Sequence, residues 1–248
     1  ERARRHAWGA PVTFSNRPLY LQVRDALAER IASGGLLPGA AIPSESDLAR
    51  EIVVSAGTVR KALQIMEMDR LIVRQQGRGT FVSDPRPEDL AARFTMLHDP
   101  DGKRACGHLK SSEIARGAAG DVERDRLRLA AGEEVYRVKR VRAHRGAPFL
   151  VEEAVLPADL FPGLEARRET ADQIAALARE CGVLLGNAHE RVYTAVPPAA
   201  VAGILGTAPE TPVVVLDRVL HMMDGRRPVE WRIAHAYLPG GYYLAEIR

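Results

Sequence analysis

The stretch SAGTVRKALQIMEMDRLIVRQQGRGTFV, from Ser55 to Val82, allows few folds. Val59, Ala62, Leu63 and Met66 recur at helical spacing and give one apolar face. Leu71 to Arg74 and Thr80 to Ser83 then read as short strands on either side of QQGRG, a hairpin tipped by glycine. A helix with one apolar stripe must lie on something, and the residues before it supply the partners. Pro18 to Ser33 places Leu19, Val23, Leu27 and Ile31 four apart, with Pro18 suited to the first turn and Gly34-Gly35 to the stop. After the connector LLPGAAIP, Ser44 and Asp47 have the spacing of a capping box at the head of a second helix, ESDLAREI. A brief turn at Val53-Val54 leads to Ser55, which caps the third. The order helix, helix, tight turn, helix, hairpin over residues 17–83 is that of a winged helix-turn-helix.

The face of the third helix turned away from Val59, Leu63 and Met66 carries Gly57, Thr58, Arg60, Lys61 and Gln64. Small residues permit close approach to a groove, Thr and Gln reach base edges or phosphates, and Arg forks onto guanine or phosphate. The N-terminus of that helix also offers N–H groups to a phosphate. In the hairpin, Gly77 and Gly79 let the backbone turn tightly, and Arg78 between them suits a minor groove or a phosphate. A solvated helix face and a plain hairpin explain each half separately. Their order after two fitting helices points to double-stranded DNA.

The bulk numbers agree without deciding. A net charge of +3 and a pI near 9.0 suit a polyanionic partner, and 248 residues accommodate two domains. Cys106 and Cys181 are far apart and form no C-x-x-C, so the expectation is a reducing cytoplasm with no disulfide framework, no metal and no cofactor. No run approaches a membrane span, and ERARRHAWGAP lacks the apolar core of a signal peptide. Residues 1–16 read as a flexible tail whose arginines either brush DNA or stay solvated.

Asp84 opens DPRPEDL, proline-rich and charged, so 84–90 reads as a linker and hinge, and 91–248 as a second domain. That domain alternates like a sheet: VYRVKRVRA, the turn HRGAP, FLVEEAVLP, a helix from Ala171 to Cys181 stopped by Gly182, then VVVLDRVLHMM, Asp224-Gly225 and PVEWRIAHAYL. Two blocks look alike. Leu127 precedes Arg140 by thirteen residues (140 − 127), as Leu205 precedes Arg218 (218 − 205), and the blocks end in Leu156-Pro157 and Leu238-Pro239. Internal duplication or coincidence explains this. Arg140 and Arg142 share one strand face. They suggest an anionic ligand, or else a solvated face or pairing with Glu152 and Glu153. A three-residue turn at Arg145 to Ala147 sets Glu152 opposite Arg140, and a two-residue turn flips it.

The residues PLYLQV…IASGGLLPGAAIPSESDLA…VSAGTVRKAL…LIVRQQGRGTFV resemble the N-terminal domain of GntR-family bacterial transcription regulators. The rest is similar to the UTRA effector domain of the HutC-like subfamily, on RVR with E-E after a G-x-P turn and on D-G-R-R-P-V-E. The resemblance implies an α/β (α+β) protein: a winged helix-turn-helix followed by a chorismate-lyase-like antiparallel sheet with flanking helices. It implies a homodimer on a pseudo-palindromic operator, tuned by a small molecule. It places Ser44, Ser55, Thr58, Arg60, Gly77 and Gly79 at DNA, and Arg140, Arg142, Glu152 and Glu230 at the effector. Ser46, Val53 and Ala56 stand where the family usually has Arg, Gly and Arg. The expectation is altered operator recognition that leans on Arg60, Lys61 and Arg78, with a strained or reshaped turn at Val53. Asp172 near the start of the central helix, and Ala236 in place of a tyrosine, argue against an amino-sugar phosphate.

Two rivals are a chorismate-lyase-like enzyme fused to a DNA-binding module and a DNA-binding protein that ignores ligands. No nucleophile–base pair, G-x-x-x-x-G-K or H-E-x-x-H supports the first. Turnover of an anion would favour it, and indifference to metabolites would favour the second.

Overall fold

A computed structural model describes residues 17–84, 96–167, 174–223 and 227–245. The 1–16 tail, most of the 84–90 linker, Asp172 and the Asp224-Gly225 turn lie outside them. The chain separates into two compact units, Glu1–Pro85 and Arg86–Arg248.

In the first unit, α1 (Leu19–Ala32), α2 (Glu45–Ile52) and α3 (Ala56–Met68) surround one core. Val23, Leu27, Leu48, Val59, Ala62, Leu63 and Met66 are buried together in it, whereas Leu19 is largely exposed. The hairpin strands are β2 (Ile72–Gln75) and β3 (Gly79–Val82), and a two-residue strand, β1 (Ala41–Ile42), completes a sheet of order β1-β3-β2. Its pairing of Ala41 with Phe81 fastens the wing to the connector before α2. Val53 ends α2 in the left-handed region, φ 62° and ψ 52°, with its side chain in solvent. The turn is therefore strained and not reshaped, because a β-branched residue occupies a conformation that costs L-residues about 1–2 kcal/mol.

The second unit is one six-stranded antiparallel sheet of order β5-β6-β7-β10-β9-β8. Its strands are β5 (His108–Ala118), β6 (Glu134–His144), β7 (Ala147–Pro157), β8 (Leu185–Ala195), β9 (Val213–Met222) and β10 (Pro228–Ala236). With α4 (Asp121–Leu127) and α6 (Ala199–Leu205) they form two β-α-β-β halves that meet at β7 and β10. The helices begin 78 positions apart (199 − 121), and Arg140 and Arg218 keep that offset (218 − 140). An internal duplication would leave this pattern. One sheet face packs on α5 (Ile174–Glu180) through Tyr136, Val138, Leu156, Phe161, Leu177 and Leu220. On the other face α4 contacts β10 and α6 contacts β7, so each half's helix reaches over the other half. A small two-stranded sheet joins β4 (Leu97–His98) to β11 (Tyr242–Tyr243). Among the described residues no helix is long and apolar enough to cross a membrane.

The turn between β6 and β7 resolves the register. Arg145 and Gly146 both have positive φ, 50° and 86°, and form a two-residue turn with His144 opposite Ala147. By itself this puts Glu152 on the wrong face. A bulge follows: Ala143 faces Pro148 but Arg142 faces Leu150, so Phe149 is the extra residue and Glu152 comes opposite Arg140. The choice between two- and three-residue turns thus omitted the arrangement that occurs.

Candidate nucleic-acid interface and effector site

Both polar helix starts in the winged unit are local caps. Ser44 Oγ accepts from Asp47 N at 3.2 Å and donates to Asp47 Oδ2 at 2.6 Å. Ser55 Oγ accepts from Thr58 N at 3.1 Å and lies 2.8 Å from Thr58 Oγ1. Gly57, Arg60, Lys61 and Gln64 are exposed along α3, and Thr58 is half-buried. Arg60 Nε donates to Glu45 Oε2 at 2.9 Å, and Arg74 lies 3.5 Å from the same carboxylate and 3.2 Å from Glu67. Lys61 points back toward α1, its ammonium 4.1 Å from the centre of the Tyr20 ring. At the wing tip Gly77 and Gly79 take φ of 72° and 117°, and Arg78 projects into solvent. The surface is thus a capped helix with a polar face beside a cationic, glycine-tipped hairpin.

In the second unit the arginine pair Arg140 and Arg142 faces inward. Arg140 Nη1 donates to Glu152 Oε1 at 3.0 Å, and Arg142 Nε donates to the same oxygen at 3.2 Å. Glu153 points to the other face, 3.9 Å from Lys139. The second half repeats the motif, with Arg218 Nη2 donating to Glu230 Oε2 at 2.7 Å. Sequence reasoning missed the residues that extend the first pair across the sheet. Arg232 donates to Glu152 Oε2 at 3.1 Å and to Glu190 Oε1 at 3.3 Å. The other Glu190 oxygen accepts from Tyr243 at 2.8 Å. Arg232 follows Glu230 by two residues, the spacing of Arg140 and Arg142, so the same alternation that found one pair would have found it.

These groups run diagonally across one sheet face between two apolar clusters, that beneath α5 and that around Leu150, Leu216, Ala234 and Ala236. Four arginines stand against three glutamates, and burial of both Arg140 and Glu152 is nearly complete. Burial itself raises the Glu152 pKa, but Arg140, Arg232 and Arg142 outweigh it and hold the carboxyl well below the usual range. Hydrogen-bonding capacity is left over. Arg140 Nε and Nη2, Arg232 Nε and Ser112 Oγ, directly across from Arg140, are buried donors without a hydrogen-bond acceptor, and Glu230 Oε1 is a buried acceptor without a donor. Buried polar groups are ordinarily paired, so this unmet capacity sets the layer apart from the rest of the core.

A winged helix-turn-helix followed by a six-stranded antiparallel sheet is the two-domain architecture of a transcription regulator. The family of bacterial regulatory proteins called gntR matches residues 19–82, and the UTRA domain matches residues 108–238. The chain belongs to the GntR family of transcriptional regulators, in the HutC subfamily that carries a UTRA effector domain, a family of regulators and not of enzymes. It is 28% identical to the mannosyl-D-glycerate transport/metabolism system repressor MngR of Escherichia coli, over 86% of this chain and 89% of that one. It is 26% identical to the repressor NagR of Bacillus subtilis, over 84% and 86%. Among solved structures it is similar to PhnF of Mycobacterium smegmatis, with TM-score 0.51 and 26% identity over 91% of this chain and 99% of that one.

Proposed function

We propose that the protein is a homodimeric repressor that binds a pseudo-palindromic operator and changes its affinity when a small anion enters the second unit. Arg60, Lys61, Gln64, Gly57 and Thr58 on α3, with Gly77, Arg78 and Gly79 on the wing, approach the duplex, and Ser44 and Ser55 present the helix starts. Arg140 and Arg142 hold the anionic group, and Glu152 and Glu230 hold the polar part. The observation that carries the reading is the layer's four arginines against three glutamates, together with the unused donors of Arg140. A carboxylate or phosphate supplies what those donors lack. Repression follows the named role of MngR and NagR.

The test is fluorescence anisotropy with the DNA upstream of the protein's own gene, alongside a thermal-shift screen of anionic metabolites. The expected result is a particle of twice the chain mass whose affinity falls steeply with salt. At least one carboxylate or phosphate raises the melting temperature and shifts operator affinity. A monomer, or binding indifferent to every stabilising anion, would refute it.

A further inference from the structure

We propose that Arg232 relays occupancy of the anion site to β4, the first strand among the described residues of the second unit. The inference rests on the anion reading above and adds its regulation.

Two of the layer's carboxylates, Glu152 and Glu190, are engaged through both of their oxygens. Glu152 gives Oε1 to Arg140 and Arg142 and Oε2 to Arg232. Glu190 gives Oε1 to Arg232 and Oε2 to the Tyr243 hydroxyl. The result is a continuous series from the arginine pair through Glu152, Arg232 and Glu190 to Tyr243. Tyr243 belongs to β11, whose only described strand partner is β4. Tyr243 faces Leu97 and Tyr242 faces His98. Leu244 N donates to Met96 O at 2.9 Å, and the His98 and Tyr242 rings stack at 5.3 Å. A pair of two-residue strands has little stability of its own, so its order depends on anchors such as the Tyr243 hydroxyl. Met96 directly follows residues 85–95, which lead from the winged unit.

An anion seated on the unused donors of Arg140 and beside Arg142 draws both guanidinium groups from Glu152. Glu152 then depends on Arg232 alone, and the guanidinium is drawn from Glu190, its longer contact. Glu190 lies on β8, an edge strand, so water is at hand for a carboxylate that loses its cation. As it turns outward, Tyr243 loses its acceptor and the β4–β11 pairing loosens.

Hydrogen exchange followed by mass spectrometry on the full chain tests this, with exchange across α3 as a check on folding. Tyr243→Phe removes the last link, and exchange over 237–245 is expected to rise roughly tenfold. Arg232→Lys keeps the charge but not the fork, so one carboxylate is released and exchange over 237–245 rises likewise. Wild-type exchange there in Arg232→Lys overturns the relay. Inorganic phosphate at constant ionic strength supplies the second arm. In the wild type it is expected to slow exchange over 138–152 and speed it over 237–245. In Tyr243→Phe only the first effect is expected. Protection over 138–152 with no rise over 237–245 in the wild type also overturns the relay. If phosphate moves neither segment, the anion reading fails for this probe, and Arg232→Lys still decides the relay.

Discussion

The two units use arginine in opposite ways. In the winged unit Arg60 meets Glu45 at the surface, with 60% of its side chain exposed. In the second unit Arg140 meets Glu152 with 3% exposed. The first contact is screened by salt and contributes little to stability, so it yields easily to a polyanion. The second has already lost its water, and each partner there depends on the other. Exposed arginine therefore suits a large, repetitive, highly charged partner, and buried arginine suits one small anion of matching shape.

The largest effect that sharpens this contrast is expected from a matched pair of substitutions. Glu152→Gln leaves Arg140, Arg142 and Arg232 around a neutral amide and is expected to cost about 3–5 kcal/mol of stability. Glu45→Gln in the winged unit is expected to cost no more than about 1 kcal/mol. Denaturant midpoints measure both. Added inorganic phosphate should recover more stability in Glu152→Gln than in the wild type, since it offers the arginines a substitute anion. Equal losses at the two sites would erase the distinction between exposed and buried pairs.

Operator affinity is the next measure. Arg60→Ala and Arg78→Ala are each expected to weaken binding by about 1–3 kcal/mol where the guanidinium reads a base. Where it sits on a phosphate, each should reduce the salt slope by about 1. Stability should change by less than about 0.5 kcal/mol. In the opposite direction, Ser46→Arg with Ala56→Arg should raise affinity and steepen the slope. A flat response to both added arginines would show that their places are not at DNA.

What could be read without coordinates follows the same division. The winged unit was legible because α1 and α3 carry apolar residues at helical spacing, Ser44 and Ser55 mark helix starts, and glycines tip the hairpin. Val59, Ala62, Leu63 and Met66 are all buried, as their spacing requires. The two-residue β1 is too short for any period. In the second unit β5 and β8 escaped, and both are edge strands with mostly exposed side chains on both faces, so no alternation marks them. The seven-residue helices α4 and α6 span too few turns to show a stripe. Arg140, Arg142, Glu152 and Glu230 were legible from strand alternation and resemblance. Glu190 and Tyr243 were not, because one lies on an unread edge strand and they meet across 53 positions.

A smaller effect concerns backbone strain. Val53→Gly relieves a left-handed β-branched residue whose side chain makes little contact. The relief of about 1–2 kcal/mol is partly offset by the greater freedom of glycine in the unfolded chain. The expected net gain is about 0.5–1 kcal/mol, visible as a higher melting temperature, with α2 and α3 presented unchanged. No gain would mean that the turn tolerates valine without strain.

The smallest expected effect uses histidine to separate the units. Residues 17–84 contain no histidine, whereas the second unit holds His221 and His235, both with lowered pKa. Burial lowers His235, and burial followed by His189 and Arg128 lowers His221. A histidine that titrates below its unfolded value near 6.5 binds fewer protons when folded, so its stabilisation is fully present above that value. It is lost as pH falls through the lower folded pKa. Unfolding of the second unit should therefore become easier from pH 7 toward pH 5, while α3 exchange, corrected for its intrinsic pH dependence, reports a winged unit that barely responds. His235→Gln should flatten part of that slope. An equal slope in both units would assign the acid response to carboxylates common to them, and the histidines would then have no part in it.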